Sequence, residues 1–185
     1  MKRTDTKQSL IYAAERIVWR EGISTLTLDA VAEEAGMSKG GVFYHFASKD
    51  ALIEGMLSDL IARFEAEHQK QKERDSAMPG AWTRAYIRAT FPSEPSANPD
   101  ASSALIAAVA GDPTLLSVFQ DKMVEWQAQI EQDGLDKIDA TLVRLAVDGL
   151  WYAELFGAAP LSKTDRQRVI ERLLEAAQAG GTVEQ

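Results

Sequence analysis

Two short helical segments joined at a glycine, both within the first fifty residues, constrain the fold of this chain most strongly. Thr27 is placed as the N-cap of a first segment, Leu28 to Ala35, and Gly36 follows where a helix would end. Ser38 caps a second segment, Lys39 to Phe46. This arrangement is typical of a helix-turn-helix, in which one helix braces the unit and the next enters the major groove of DNA.

The two faces of this unit differ in chemistry. Apolar residues predict a buried joint between the helices, made of Val31, Ala32, Met37, Val42 and Phe46. The opposite face of the second segment is small or hydrogen-bonding, so its axis can come close to base edges. The candidate DNA-contacting residues on and beside this face are Thr27, Ser38, Lys39, Gly40, Gly41, Tyr44, His45 and Lys49.

The candidate contacts have distinct chemical roles. Lys39 and His45 can reach phosphates or guanine acceptors, and Tyr44 can donate to a phosphate or pack on a thymine methyl group. The two capping hydroxyl residues would offer helix N-termini to phosphates, and Lys49 would hold a neighbouring phosphate. The alternative interpretation is a structural helical hairpin in which the lysine and tyrosine are incidental.

The whole chain is expected to be helical. Apolar residues recur at spacings of three and four with no sustained alternation, which predicts an all-α fold without strands. Three prolines in residues 92–99 predict a loop, and residues 180–185 a frayed tail. The further helices are expected over Asp5 to Glu21, from Lys49 through Phe64 to about residue 74, after Met78-Pro79-Gly80, and over Ala101 to Ala110, Pro113 to about Gln132, Asp139 to Phe156 and Thr164 to Ala179.

The distribution of charge explains how an acidic chain could bind a polyanion. The net charge is -8, yet residues 1–50 carry seven Lys or Arg and seven Asp or Glu, so this part is neutral. All of the excess negative charge lies in residues 51–185. Repulsion of the acidic body by phosphate would orient the molecule with its N-terminal part towards DNA.

Composition excludes several classes of protein. The chain has no cysteine, which excludes disulfides, thiolate metal sites and a cysteine nucleophile. It also has no apolar run of the ~18 residues that a bilayer span needs, and residues 1–6 are not followed by the apolar stretch typical of a signal peptide. We therefore expect a cytoplasmic protein with no membrane partner and no cofactor.

Several short motifs stand in a fixed order along the first part of the chain. They are Ala13-Ala14, Thr27-Leu28, Val31-Ala32, Ala35-Gly36, Ser38-Lys39-Gly40 and Phe46-Ala47-Ser48-Lys49-Asp50-Ala51-Leu52. With them, the stretch from about Ser9 to Leu57 resembles the TetR family of bacterial transcriptional regulators. The resemblance implies an all-α homodimer of about nine helices, in which three N-terminal helices bind DNA and the others enclose a small-molecule pocket.

One position departs from the family pattern. Where the family most often has a tyrosine that contacts phosphate, this chain has Phe43, which lacks the hydroxyl. Tyr44 and His45 would then carry more of the contact. The expected domains are residues 1–50 for DNA binding and 51–185 for ligand binding and dimerisation, linked by a helix over about 49–74.

The C-terminal part offers two candidate surfaces. A broad face of small and apolar residues on the last two helices predicts a four-helix dimer interface, as in the family. Its members are Leu142, Leu145, Ala146, Gly149, Leu150, Ala153, Val169, Ile170, Leu173, Leu174 and Ala177. A concentration of large side chains, with plain core as the alternative, predicts a pocket for a small apolar or aromatic effector. It consists of Trp82, Tyr86, Phe91, Phe119, Met123, Trp126, Trp151 and Tyr152.

Other polar residues are expected to play minor parts. Asp148 and Glu154 could recognise a cationic or hydroxyl-bearing effector, although solvated or dimer-paired acids are favoured. His68 and the polar run after it are expected at a solvated helix end. His45 and His68 are too far apart in sequence to form a metal site.

Two other classes of function are alternatives to a regulator. An enzyme lacks support, since the chain has no phosphate loop, nucleophile elbow or His-Glu-x-x-His motif. A helical interaction module that does not bind DNA would explain the acidic body. The favoured interpretation is a homodimeric, ligand-responsive repressor that places Lys39 to Phe46 of each subunit in successive major grooves of a palindromic operator, ~34–36 Å apart or a multiple of it.

Overall fold

The computed structural model describes residues 3–75, 79–92 and 102–178, and every regular element within them is helical. The all-α prediction is confirmed. The predicted loop from residue 93 to 99 and the tail from 180 lie outside the described residues. The elements are α1 (Arg3–Glu21), a 3-10 turn (Ile23–Thr25), α2 (Leu28–Glu34), α3 (Lys39–His45), α4 (Lys49–Arg74), α5 (Ala81–Thr90), α6 (Ser102–Ala110), α7 (Pro113–Glu131), α8 (Lys137–Leu155) and α9 (Lys163–Ala176).

Side-chain caps fix where the early helices begin. The hydroxyl of Thr27 accepts the backbone N–H of Ala30 at 3.1 Å, and that of Ser38 accepts the N–H of Gly41 at 3.2 Å. Ser48 caps α4 in the same way, at 3.1 Å from the nitrogen of Ala51. Each cap satisfies an N–H group that a helix leaves without an internal partner, so α2, α3 and α4 begin where their sequences predict.

Contacts group the described residues into two units. Unit 1 contains residues 3–62 and 102–118, and unit 2 contains residues 63–75, 79–92 and 119–178. The helix α6 belongs to unit 1 because it packs on α1 and on the 3-10 turn. The expected functional boundary near residue 50 stays a prediction. No helix in the described part of the chain is long and apolar enough to cross a membrane.

Unit 1 holds α3 against the start of α4. The ring of Phe46, which is 2% exposed, lies so close to Gly55 of α4 that a Cβ there would approach it to 2.7 Å. The ammonium of Lys7 lies 5.5 Å from the centre of the same ring. The rest of the core comes from Leu26, after the 3-10 turn, and from the inward faces of α1, α2, α3 and α4, chiefly Leu10, Ala13, Ala14, Ile17, Val18, Val31, Val42, Leu52, Met56 and Leu57.

Unit 2 is organised around the first turn of α5. The carboxylate of Asp133, just after α7, accepts the backbone N–H groups of Trp82 at 2.9 Å and Thr83 at 2.7 Å. The buried guanidinium of Arg84 donates to the carbonyl of Ala177, just after α9, at 2.8 Å. Arg84 also pairs with Asp75 at 2.8 Å, which holds the pKa of that carboxyl well below its usual range. The first turn of α5 is therefore hydrogen-bonded to residues at the C-terminal ends of three other helices, α4, α7 and α9.

Candidate nucleic-acid interface

The joint between α2 and α3 has the predicted composition. Val31 and Val42 are fully buried, and Ala32 and Phe46 are 3% and 2% exposed. Met37 is half-buried in the turn between the two helices. Gly36 adopts a φ of 64°, a left-handed conformation that glycine reaches without steric cost, and this allows the sharp turn. The apolar side of α3 is therefore buried within unit 1.

The other side of α3 is open. Ser38, Lys39, Gly40 and Tyr44 are exposed, as is Thr27 at the start of α2. No atom lies within 4 Å of the position that a Cβ on Gly40 would occupy, so the backbone of α3 can be approached closely there. The rest of the predicted set is half-buried, namely Gly41, His45 and Lys49. Lys49 is the first residue of α4, and Gly41 lies near Met37 and Ser38.

Both candidate lysines have partners within the protein. The ammonium of Lys39 pairs with Asp29 at 2.7 Å, with both side chains more than half exposed. The ammonium of Lys49 donates to the carbonyl of Ile23 at 3.1 Å. An exposed ion pair contributes little to stability, so Lys39 can exchange its carboxylate for a phosphate at small cost.

Phe43 belongs to the open side of α3 although the sequence did not place it among the candidate contacts. Its side chain is 51% exposed, next to Tyr44 at 69%. The ring of Tyr44 meets that of His45 edge-on, with centroids 5.2 Å apart. The resemblance aligned Phe43 with a tyrosine that contacts phosphate, and that position is the signal that could have identified it.

Two arginines of α1 pair with a carboxylate of unit 1. Arg16 and Arg20 both donate to Glu34 at the end of α2, at 2.7 and 3.2 Å. These hydrogen bonds, chiefly the one from Arg16, lower the pKa of Glu34. The three side chains clamp α1 to α2 and so brace the helix that precedes α3.

Large rings meet in the middle of unit 2. We call the group Phe64, His68, Trp82, Tyr86 and Trp126 the aromatic cluster. The centroids of Phe64 and Trp126 lie 4.7 Å apart, those of His68 and Trp82 lie 4.3 Å apart, and those of Trp82 and Tyr86 lie 5.6 Å apart. Three of the eight predicted pocket residues therefore pack together, joined by two residues of α4.

His68 was wrongly expected at a solvated helix end. Its side chain is buried against Trp82, and its Nε2–H donates to the carbonyl of Trp82 at 3.1 Å. Burial lowers the pKa of His68, which favours the neutral imidazole. The polar residues that follow it in sequence do lie on the surface, and they concealed this contact from a reading of local sequence.

The remaining predicted pocket residues lie elsewhere in unit 2. Tyr152 stacks with Phe156 at the end of α8, and the ring of Trp151 is tilted against that of Tyr152. Phe91 lies beneath the guanidinium of Arg166 at 5.3 Å. Phe119 is half-buried. An open depression of about 400 Å³ between α7 and α8 includes Met123 of the predicted set; it is lined by Met123, Val124, Gln127, Ala128, Glu131 and Arg144.

A buried polar group borders the aromatic cluster. The hydroxyl of Tyr86 donates to Asp148 at 2.6 Å, and Arg144 donates to the other carboxylate oxygen at 2.6 Å. Burial is the main cause that raises the pKa values of both Tyr86 and Asp148. Glu154 is paired with Arg166. Both acids therefore have partners in their own chain.

An apolar stripe runs along the outside of α8. Its exposed members follow one another at alternating spacings of four and three, the pattern of a helix that packs along a second helix. They are Ile138, Leu142, Leu145, Gly149, Tyr152 and Phe156, with Ala146 exposed and Ala153 half-buried beside them. We call these residues the α8 stripe. Of the expected interface residues on α9, Ile170, Leu173 and Ala177 are buried by their own chain, as is Leu150 on α8, while Val169 and Leu174 are half-buried.

Metal chemistry finds no support in the described ranges. Among the residues at 3–75, 79–92 and 102–178, no group of three or more His, Cys, Asp or Glu side chains is placed to hold a metal ion.

Two family models match the chain. The model of bacterial regulatory proteins of the tetR family matches residues 10–56, and that of the tetracyclin repressor-like C-terminal domain matches residues 80–178. The second match covers more than half of the chain. Together they span α1 to the start of α4 and α5 to α9.

The curated relatives match over part of their length. The HTH-type transcriptional regulator TtgR of Pseudomonas putida is 28% identical over 87 residues, which are 47% of this chain and 41% of TtgR. The HTH-type transcriptional regulator BetI of Burkholderia thailandensis is 32% identical over 85 residues, 46% of this chain and 44% of BetI. The chain thus spans less than half the length of either relative.

Solved structures share the fold over nearly the full chain. A candidate transcriptional regulator from Pseudomonas aeruginosa PAO1 has a TM-score of 0.76 at 20% identity, covering 97% of this chain and 93% of that one. The multidrug binding protein EbrR, complexed with imidazole, has a TM-score of 0.67 at 21% identity, covering 96% and 93%.

Proposed function

The chain belongs to the TetR family of bacterial regulatory proteins, and from this premise we propose that it is a ligand-responsive repressor that binds a palindromic operator as a homodimer. The matches support a regulator of this family rather than a helical module without DNA binding. The family is one of transcriptional regulators rather than enzymes. The observation that carries the proposal is the open side of α3, which presents two glycines, hydrogen-bonding groups and two exposed rings, while the other side of the helix is fixed in the core of unit 1.

In the proposed complex α3 lies in the major groove. Gly40 and Gly41 let the helix axis approach the base edges, since neither carries a side chain. Lys39 exchanges Asp29 for a phosphate or a guanine edge, and Lys49 exchanges the carbonyl of Ile23 for a phosphate. Tyr44 and His45, with the hydroxyl protons of the two caps, supply further donors.

Direct DNA-binding measurements test this proposal. Duplexes that bind the full chain would be selected from a random pool, and their affinities measured by fluorescence anisotropy against a mixed-sequence duplex. We expect a pseudo-palindromic sequence, preferred by at least about 10³-fold, with an affinity that falls steeply as salt increases. Binding no tighter than to mixed sequence would contradict the proposal.

The α8 stripe is the proposed core of the homodimer. Its large exposed side chains would cost free energy in water, and their spacing suits packing along the same helix of a second copy. The half-buried Val169 and Leu174 of α9 can extend this surface. Pairing through α8 would give the two-fold symmetry that a palindromic operator requires.

A charge placed in the α8 stripe is expected to separate the subunits. Leu145, which is 52% exposed, becomes a buried unpaired carboxylate in the proposed interface when it is replaced by glutamate. We expect Leu145→Glu to weaken dimerisation at least about 100-fold, as measured by sedimentation equilibrium. The control is Leu161→Glu, since Leu161 is 44% exposed but lies off the stripe. Equal dimerisation of both variants would contradict the assignment.

The effector is proposed to bind at the aromatic cluster. The rings of the cluster are in contact with one another, so a ligand can enter only if they move apart. The hydrogen-bonded pair Tyr86–Asp148 can then bind a hydroxyl group or a cation of the ligand. EbrR, a multidrug binding protein of the same fold, has been crystallised with malachite green. Phe64 and His68 belong to α4, the helix that follows α3, so a shift of these rings would be passed to the DNA-binding part along that helix.

A further inference from the structure

We infer that Phe43 contacts a thymine methyl group in the major groove and so sets a base preference in each operator half-site. The inference rests on the proposed function, because it takes α3 to be the helix that enters the groove. It assigns a specificity role to an exposed side chain that can make no hydrogen bond of its own.

Phe43 lies on the side of α3 that would face DNA. Residues three and four apart share a helix face, which places Phe43 beside Gly40 and Lys39, and both of these are exposed. Gly40 has no side chain to cover the phenyl ring. The backbone of α3 can therefore come close to the bases at Gly40 while the ring of Phe43 projects one turn further along.

The chemistry of the groove then limits what the ring can bind. A phenyl ring neither donates nor accepts hydrogen bonds, so it gains nothing from a phosphate. In the major groove the base edges of guanine, cytosine and adenine present polar donors and acceptors, and a ring placed over them would strip their water without replacing it. The C5 methyl of thymine is the apolar group among these edges. Burial of the ring is favourable where that methyl lies beneath it.

Few neighbouring side chains compete with the aromatic rings for contact with DNA on this part of α3. The ammonium of Lys39 pairs with Asp29 on α2, and neither Gly40 nor Gly41 has a side chain. Tyr44 also exposes a ring, but its hydroxyl gives it a hydrogen-bonding alternative at a phosphate. A test must therefore separate the contribution of Phe43 from that of Tyr44.

The test removes single methyl groups from DNA. In an operator selected with the full chain, each thymine is replaced in turn by deoxyuridine, which lacks only the methyl, and affinity is measured by fluorescence anisotropy. We expect one position per half-site to be sensitive, with losses of about fourfold for one half-site and about fifteenfold for both. Cytosine at that position should bind more tightly when it is 5-methylated.

Protein variants assign the effect to one side chain. In Phe43→Ala the sensitive position should lose its response to deoxyuridine, whereas Tyr44→Ala should weaken binding and keep that response. Phe43 is 51% exposed, so its replacement leaves the core intact, and thermal melting checks this. The inference is overturned if no thymine responds, if the response persists in Phe43→Ala, or if it disappears in Tyr44→Ala instead. Failure to bind any operator would overturn the proposed function as well, which distinguishes the two outcomes.

Discussion

Gly80→Ala is expected to destabilise unit 2 by about 3–5 kcal/mol, which is a large part of the stability of a typical domain. Gly80 has a φ of 91°, and a Cβ there would lie 2.1 Å from the carbonyl oxygen of Ala177 and 2.6 Å from Nη1 of Arg84. Either the α9 end or the guanidinium must move, which breaks the 2.8 Å hydrogen bond between them and leaves buried groups unpaired. Urea denaturation followed by circular dichroism measures the loss.

A second glycine separates backbone strain from steric conflict. Gly157 also has a positive φ, 61°, but no atom lies within 4 Å of its Cβ position. Gly157→Ala should therefore cost only the left-handed backbone penalty, about 1 kcal/mol. Similar losses in the two variants would show that the crowding around Gly80 has no energetic effect.

Gly40→Glu is expected to abolish specific operator binding, with a loss of at least about 100-fold in affinity. The new side chain would project from the open side of α3, where it fills the approach to the bases and brings a negative charge to phosphate. The fold should be unaffected, since no atom lies within 4 Å of the Cβ position and glycine is a poor helix former. Competition anisotropy on the selected operator measures the change.

The uncharged variant Gly40→Gln divides this effect into its two parts. Glutamine has nearly the same size as glutamate, so the loss that it causes reports steric exclusion, and the additional loss in glutamate reports repulsion. The melting temperatures of both variants should equal or exceed that of the parent chain. Full operator affinity in a folded Gly40→Glu protein would rule out α3 as the helix that enters the groove.

Local signals predicted the helices of unit 1 well. Thr27, Ser38 and Ser48 each lie one residue before a helix and cap it through their own hydroxyl, a contact that depends on residues three positions away. The 3-10 turn at Ile23–Thr25 was missed because no side-chain cap marks its start. It is defined by contacts with α1, which directly precedes it, and with α6, which is distant in sequence.

In unit 2 the sequence could not show which chain or which residue covers each apolar face. The apolar faces of α8 and α9 look alike in sequence, yet Leu142 is 59% exposed whereas Ile170 and Leu173 are each 8% exposed because their own chain covers them. A periodic face indicates that something covers it, but not which chain does so. His68 shows the same limit, since its partner Trp82 is 14 residues away.

The pairing of Lys39 with Asp29 bears on how such a protein would search a chromosome. A lysine paired with a carboxylate has no net charge as a pair, so it attracts an arbitrary stretch of duplex less strongly than an unpaired lysine would. Residence on arbitrary sequence would then be brief, while the correct site adds contacts to base edges that arbitrary sequence lacks. Asp29, by restraining one lysine, would leave more copies of the protein free to sample the chromosome.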